Sequence, residues 1–399
     1  MADAFPKNFL WGAATSAHQV EGNNHNDWTE WEKLGHVANG ERSGLAAGHY
    51  DRYREDFALA KSLGHNTHRL SIEWSRIEPR PGFIDPAAIG HYRAVLQELQ
   101  RLDIKPIVTL WHFTNPIWIA QHGGWRNRET VDCYGRYVMA VIRELGDLAD
   151  HWITINEPTV YSSLAHLFGY WPPEQKNPLA AWGVIRHFVE AHRLAYQIIH
   201  RHFPSAKVGV ANNLSDFVPA RKNNLLDKGL ASLSRYWHNQ WWLDQTYVTQ
   251  DFIGLNYYFY HPLQFKFNNL RHLFHPAANP TAPTSDLGWE IHPAGLGHLL
   301  TFLAGYNRPI IITENGLADA SDTKRAGFIR DHVAQVAWAI QQGIRVDGYL
   351  HWSLLDNFEW REGFTPRFGL VEVDYHTQTR TIRPSAYAYR DTIRRSSGT

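Results

Sequence analysis

Short apolar runs rich in β-branched and aromatic residues alternate along this chain with longer stretches whose apolar positions recur at helical spacing. The short runs fall at residues 9–13, 68–72, 107–110, 152–155, 208–210, 252–255, 310–313 and 349–352, and their composition and length predict strands. Between them, Tyr50, Tyr53, Phe57 and Ala60 share one helical face, as do Ile185, Val189, His192, Tyr196 and Ile199. A third face runs through Ile329, Val333, Val336, Ala337 and Ile340 and stops at Gly343, a residue suited to the left-handed position after a helix. Eight strand–helix alternations with crossovers long enough to be right-handed fit an α/β fold, a single (β/α)8 TIM barrel over residues 1–399. A doubly wound sheet is the other architecture with this alternation, but no Gly-x-Gly-x-x-Gly follows the first strand to hold a dinucleotide. No Pro/Gly/Ser-rich linker, internal repeat or low-complexity block divides the chain. The irregular segments 22–48 and 265–288 exceed tight βα turns and are expected to wall the barrel mouth.

Two strand ends stand out. Thr154-Ile155-Asn156-Glu157-Pro158 and Ile311-Ile312-Thr313-Glu314-Asn315-Gly316 each place a carboxylate at the end of an apolar run. Strand C-termini meet at the barrel mouth, so residues distant in sequence converge there. Two carboxyls flanking one bond can cleave a glycosidic linkage: one protonates the leaving oxygen, the other works on the opposite face of the sugar. At ~5–5.5 Å separation the second attacks directly and configuration is retained; at ~6.5–9.5 Å a water intervenes and configuration inverts. Close carboxylates resist double ionisation, and a neighbouring cation keeps one of them charged. Arg69, in the second strand, is the candidate cation. Pro158 fixes the chain leaving Glu157, Asn156 can bond a sugar hydroxyl, and Asn315-Gly316 reads as a tight turn fixing Glu314 at the rim.

Composition narrows the remaining classes. Thirty-nine basic and thirty-nine acidic residues leave no net charge, which argues against a nucleic-acid partner. Cys133 is the sole cysteine, so no intrachain disulfide and no cysteine-based metal site can form. No apolar window approaches a membrane span, and the first residues lack a secretory pattern, so a cytoplasmic location is expected. Seventeen Trp, eighteen Tyr and nineteen Phe supply flat faces suited to the C–H faces of sugar rings. Oligomeric state is open at this stage.

The chain resembles the family 1 glycoside hydrolases, the β-glucosidase family, from Phe9 almost to Arg390. The stretch from Phe9 to Gly22 is similar to the family's opening signature, Thr154 to Pro158 to its acid/base motif, and Ile312 to Gly316 to its nucleophile motif. The stretch from Trp352 to Trp360 is similar to its last sugar-binding loop. The resemblance implies a retaining mechanism without metal or cofactor, with Glu157 as acid/base and Glu314 as nucleophile. It implies that Gln19, His112, Asn156, Glu359 and Trp360 grip the sugar and that Trp352 is its platform. Tyr258 matches the tyrosine that orients the nucleophile, and Asn213 and Asn256 are supporting positions. The residue types agree: amides donate and accept as a vicinal diol requires. His18 and His351 read as packing residues, and Asp356 as a holder of the last loop.

Three departures shape the expected specificity. Phe113 stands where the family usually has tryptophan, which removes an indole N–H. The interval between Asn213 and Asn256 is short for the family, so the fifth β/α unit is expected to be trimmed and the leaving-group side opened. Glu359-Trp360-Arg361-Glu362-Gly363 places carboxylates where a phosphorylated sugar would put its phosphate, so unphosphorylated β-glycosides are expected. Glu157 also argues against the thioglucosidase branch, which carries glutamine there. Glucosides, galactosides and fucosides remain open as substrates. A transglycosylase and a non-catalytic sugar-binding barrel are the alternatives, the second disfavoured by the presence of both glutamates.

Overall fold

The computed structural model describes residues 5–266, 279 and 281–397. Eight parallel strands, β1 (Leu10–Ala14), β2 (Thr67–Ser71), β3 (Lys105–Thr109), β4 (His151–Asn156), β5 (Lys207–Pro219), β6 (Ile253–Leu263), β7 (Ile310–Asn315) and β8 (Val346–Trp352), close into a barrel as β8 pairs back to β1. Closure leaves no edge strand, and each crossover returns over the outside of the sheet, as a right-handed β/α repeat requires. Leu10, Ile107, Ile153, Phe252, Ile311 and Leu350 fill the interior, while Val108, Trp152, Val208, Ile310 and Ile312 pack outward against the helices.

The helices follow the predicted faces: His49–Ser62, Pro178–His202 and Arg325–Gln341, the last ended by Gly343 at φ +83°. Segment 22–48 contributes helix Asp27–Glu32, whose Asn26 cap accepts from Thr29 N at 3.0 Å. Segment 265–288 lies in part (267–278 and 280) outside the described residues. After β8, a two-stranded ribbon of β9 (Val371–Val373) and β10 (Arg380–Ile382) precedes the last helix, Pro384–Ser397.

β5 and β6 run well past their predicted ends, to 13 and 11 residues. The extension depends on their mutual pairing, Ser215 to Pro219 against Phe259 to Leu263, which no local pattern announces. The fifth unit, expected to be trimmed, carries helical chain over Leu225–Arg235, Tyr236–Gln240 and Trp241–Thr246.

Candidate active site

Strict strand alternation would point the key residues the wrong way. Ile153 faces the barrel interior, so Asn156, three positions on, would face outward; likewise Ile311 and Glu314. One extra residue in β4 (Ile153 and Asn156 pairing Gly209 and Ala211) restores the inward direction of Asn156. In β7, Ile312 and Glu314 pair Leu255 and Asn256, and the same correction turns Glu314 inward. In β6, Tyr258 is the extra residue between pairs Leu214–Tyr257 and Ser215–Phe259. Such bulges re-aim side chains next to active sites.

The result is a cavity of about 590 Å3 at the C-terminal mouth, lined by Gln19, His112, Asn156, Glu157, Asn213, Tyr258, Glu314, Trp352, Glu359 and Trp360. Of the predicted site residues, Arg69 and Asn256 lie one layer beneath, touching those that line it. Phe113, Glu157 and Trp360, all on this wall, hold positive φ (71°, 45° and 52°) without being glycine, a strained backbone conformation for such large side chains. Pro158 after Glu157 disfavours the right-handed helical region there and starts the short helix Pro158–Tyr161.

The two glutamates are wired differently. Glu157 Oε1 accepts from two neutral amides, Asn256 Nδ2 at 2.7 Å and Asn213 Nδ2 at 3.0 Å. Burial, and then the charge of Glu314, push its carboxyl up to about 8. Glu314 bonds the buried guanidinium of Arg69 and accepts from the Tyr258 hydroxyl at 2.8 Å. Burial raises it too, but a full cation and a phenol pull the other way. Both carboxyls line the same cavity, and the charge of Glu314 acts on Glu157 across it. Arg69 is itself fixed by Thr109 Oγ1 (3.0 Å) and Asn156 Oδ1 (2.6 Å).

The polar grip lies on the other side of the cavity. Gln19 Nε2 donates to Glu359 Oε2 at 3.2 Å and to Asn357 Oδ1 at 2.9 Å, and Ser16 Oγ donates to Gln19 Oε1 at 2.7 Å. Burial, Glu314 and Glu157 push Glu359 up to about 8. Asn156 Nδ2 lies 3.2 Å from His112 Nε2, and the His112 ring runs nearly parallel to Trp352 (14°) and Trp360 (11°). Burial and the Arg69 charge hold His112 well below its usual value, so it acts as a neutral donor/acceptor. His18, read as packing, lies under Trp360 at 5.4 Å and 12° and is held by Glu32 (3.0 Å) and Asn26 (3.1 Å). Asp356 does hold the last loop: Arg383 donates to both its oxygens (2.8 and 2.9 Å) and Gly369 N to Oδ1 (2.9 Å).

One reading needs correction. Asn315-Gly316 makes no tight turn, because β7 continues through Asn315; glycine is required because a Cβ at 316 would sit 1.8 Å from the Trp352 carbonyl oxygen. The cavity is also lined by Leu164, Phe168, His238, Phe259, His261 and Trp289, none of which was singled out from sequence. The abundance of aromatic residues hinted at them, but the β6 bulge reverses the parity that would have placed Phe259 and His261 outside. Phe113 lines the same cavity, edge-on to Trp171 (4.8 Å) and Trp360 (5.2 Å).

Comparison with known proteins agrees with this geometry. The family model described as glycosyl hydrolase family 1 matches residues 1–250 and 247–397. A 1,4-beta-D-glucan glucohydrolase of Thermotoga neapolitana is 32% identical over 437 residues, covering 98% of each chain. A solved beta-glycosidase from Pyrococcus horikoshii superposes with TM-score 0.93 at 38% identity, over 99% of this chain and 96% of that one. A beta-glucosidase from Thermotoga maritima, solved in complex with glucoimidazole, superposes with TM-score 0.92 at 30% identity, over 98% and 99%. With the barrel, the two mouth glutamates and these matches spanning nearly the whole chain, this protein belongs to glycosyl hydrolase family 1.

Proposed function

We propose that the protein is a retaining exo-β-glycosidase, a β-glucosidase that also accepts galactosides or fucosides, working as one catalytic domain on unphosphorylated terminal sugars. The reading rests on the unequal wiring of two buried carboxyls around one cavity. Glu157, held by neutral amides and pushed up to about 8, keeps its proton at neutral pH and can give it to the leaving oxygen. Glu314, paired with Arg69 and Tyr258, is the carboxylate that attacks the anomeric carbon as the glycosidic bond breaks. Water then enters, Glu157 takes one of its protons, and the oxygen displaces Glu314 from the sugar. Two displacements at one carbon retain its configuration. Gln19, Asn156, His112, Glu359 and Trp360 hold the hydroxyls and Trp352 supports the ring, consistent with their place in the cavity wall. Glu362 lines this wall and disfavours a 6-phosphate by like-charge repulsion. A trimmed fifth unit belongs to the same reading, leaving the entrance open to bulky leaving groups.

The test is a series of aryl β-glucosides of graded leaving-group pKa. Glu157→Gln loses about 10²–10⁴-fold on poor leaving groups and little on activated ones, while Glu314→Ala is nearly inactive on all. The wild-type profile falls as pH rises through about 8, and Glu157→Gln lacks that limb. Equal losses across the series would remove Glu157 from the acid role.

A further inference from the structure

Behind the sugar-gripping wall, segment 22–48 sends two buried polar side chains, Asn26 and Glu32, to His18. The helix Asp27–Glu32 begins at Asn26, whose Oδ1 accepts from Thr29 N at 3.0 Å. That cap fixes the orientation of the amide, so its Nδ2 faces His18 Nδ1 at 3.1 Å and Glu73 Oε1 at 3.4 Å. An amide nitrogen only donates, so His18 Nδ1 accepts and carries no proton. The proton is on Nε2, which donates to Glu32 Oε1 at 3.0 Å. The other oxygen of Glu32 accepts from Ser43 N at 2.8 Å and Ser43 Oγ at 2.9 Å. His18 is thus a neutral imidazole held at both nitrogens, in one tautomer and one plane. Its ring runs under Trp360 at 5.4 Å and 12° and meets Phe358 edge-on at 5.9 Å. Those two residues flank Glu359. His18 also precedes Gln19, whose side chain donates to Glu359 and whose carbonyl oxygen accepts from Phe358 N at 3.0 Å.

We propose that Glu32 is a positioning residue for sugar binding: by holding the His18 ring in one plane, it sets Trp360 and Glu359 at the spacing the sugar requires. The proposal rests on the β-glycosidase reading, in which Glu359 and Trp360 hold the sugar, and adds to it a residue that acts from behind the cavity wall. Packing alone gives no reason for a carboxylate here. A leucine of similar size would fill the same buried space, and burying an ion is costly unless its partners are in place. Both oxygens of Glu32 only accept, and three donors meet them. Without that acceptor, the buried Nε2–H of His18 is left unsatisfied, and the ring turns toward another partner. Trp360 and Phe358 then lose the face and edge they rest on, and Glu359 between them shifts.

Active-site titration separates positioning from a loss of folded protein. The burst of dinitrophenol from 2,4-dinitrophenyl 2-deoxy-2-fluoro-β-glucoside counts working sites in wild type, Glu32→Leu, Glu32→Gln and His18→Phe. Per titrated site, Glu32→Leu and His18→Phe should each weaken inhibition by 1-deoxynojirimycin about tenfold. Their kcat/KM should fall by equal factors, about tenfold, on 4-nitrophenyl and 2,4-dinitrophenyl β-glucosides, because the sugar and not the leaving group is affected. Glu32→Gln keeps an acceptor for Nε2–H and should stay within about threefold of wild type on both measures. Since Glu32 acts through His18, the double variant Glu32→Leu/His18→Phe should be no more than about twofold worse than the weaker single variant. If Glu32→Leu gives no titratable sites, His18→Phe and Glu32→Gln carry the same expectations. Fewer titratable sites with inhibition and kcat/KM per site unchanged would make the role structural and overturn the proposal. So would multiplied losses in the double variant, or Glu32→Gln as impaired as His18→Phe, while the hydrolase reading stands. A wild type that releases nitrophenol from no β-glycoside would overturn both.

Discussion

At the scale of single residues, the site works by giving two like carboxyls unlike neighbours. Among the described residues Arg69 is the one cation bonded to Glu314, and it is wholly buried. Arg69→Met would remove the cation that opposes burial at Glu314 and leave the Tyr258 hydroxyl, raising its carboxyl further. The expected result is a loss of kcat of about 10²-fold or more near pH 6, with the acidic limb of the profile displaced upward. A pH–rate series on an activated aryl glucoside reads both. The same burial has a cost in stability. Glu157 holds its proton up to about 8 when folded but releases it near 4.5 when unfolded, so the folded chain binds more protons between those values. Stability therefore falls as pH rises through that window. Glu157→Gln keeps an oxygen for Asn213 and Asn256 while removing the charge, and should gain about 1–3 kcal/mol over wild type at pH 8–9 and nothing at pH 4. Denaturant unfolding at the two pH values checks it. The glutamates themselves were legible, since each ends a recognisable strand; the reason Glu314 faces inward was not, because it lies in a register shift against β6.

At the scale of elements, strand identity could be read from short apolar runs, but strand length could not. Ala211 to Asp216 is rich in Asn and Ser and reads as a loop, and becomes strand only because β6 lies beside it with matching register. The bulges in β4, β6 and β7 are equally silent in sequence, although they decide which residues enter the cavity. The loop after β8 was clearer, because its Asp356 sits in a recognisable motif. Its role as an anchor is now explicit: Arg383, itself buried, and Arg367 both bond it. Asp356→Ala would strand the Arg383 charge and release the segment carrying Glu359 and Trp360. The expected destabilisation is about 3–5 kcal/mol, with KM for glucosides rising in whatever fraction remains folded. Thermal and denaturant unfolding beside steady-state kinetics measure these two effects separately.

At the scale of the molecule, a closed sheet gathers residues from all along the chain at one mouth. Gln19 and Glu359 bond each other across 340 positions, and Arg69 reaches Glu314 across 245. That convergence was readable from the order of strands and helices, without knowledge of a single contact. Among the described residues no helix is long and apolar enough to cross a membrane. What the alternation pattern could not supply is the rim, where aromatic side chains from separate loops meet: Trp171, Trp289 and Phe368 reach the cavity from segments with no periodic signal. The central claim is that Glu314 becomes bonded to the sugar during turnover, and a slow substrate exposes that bond. Incubation with a 2-deoxy-2-fluoro-β-glucosyl fluoride, then digestion and mass spectrometry, should show one fluoroglucosyl unit on the peptide containing Glu314 as activity disappears. Inactivation without an adduct, or an adduct on Glu157 or Glu359 instead, would contradict the account.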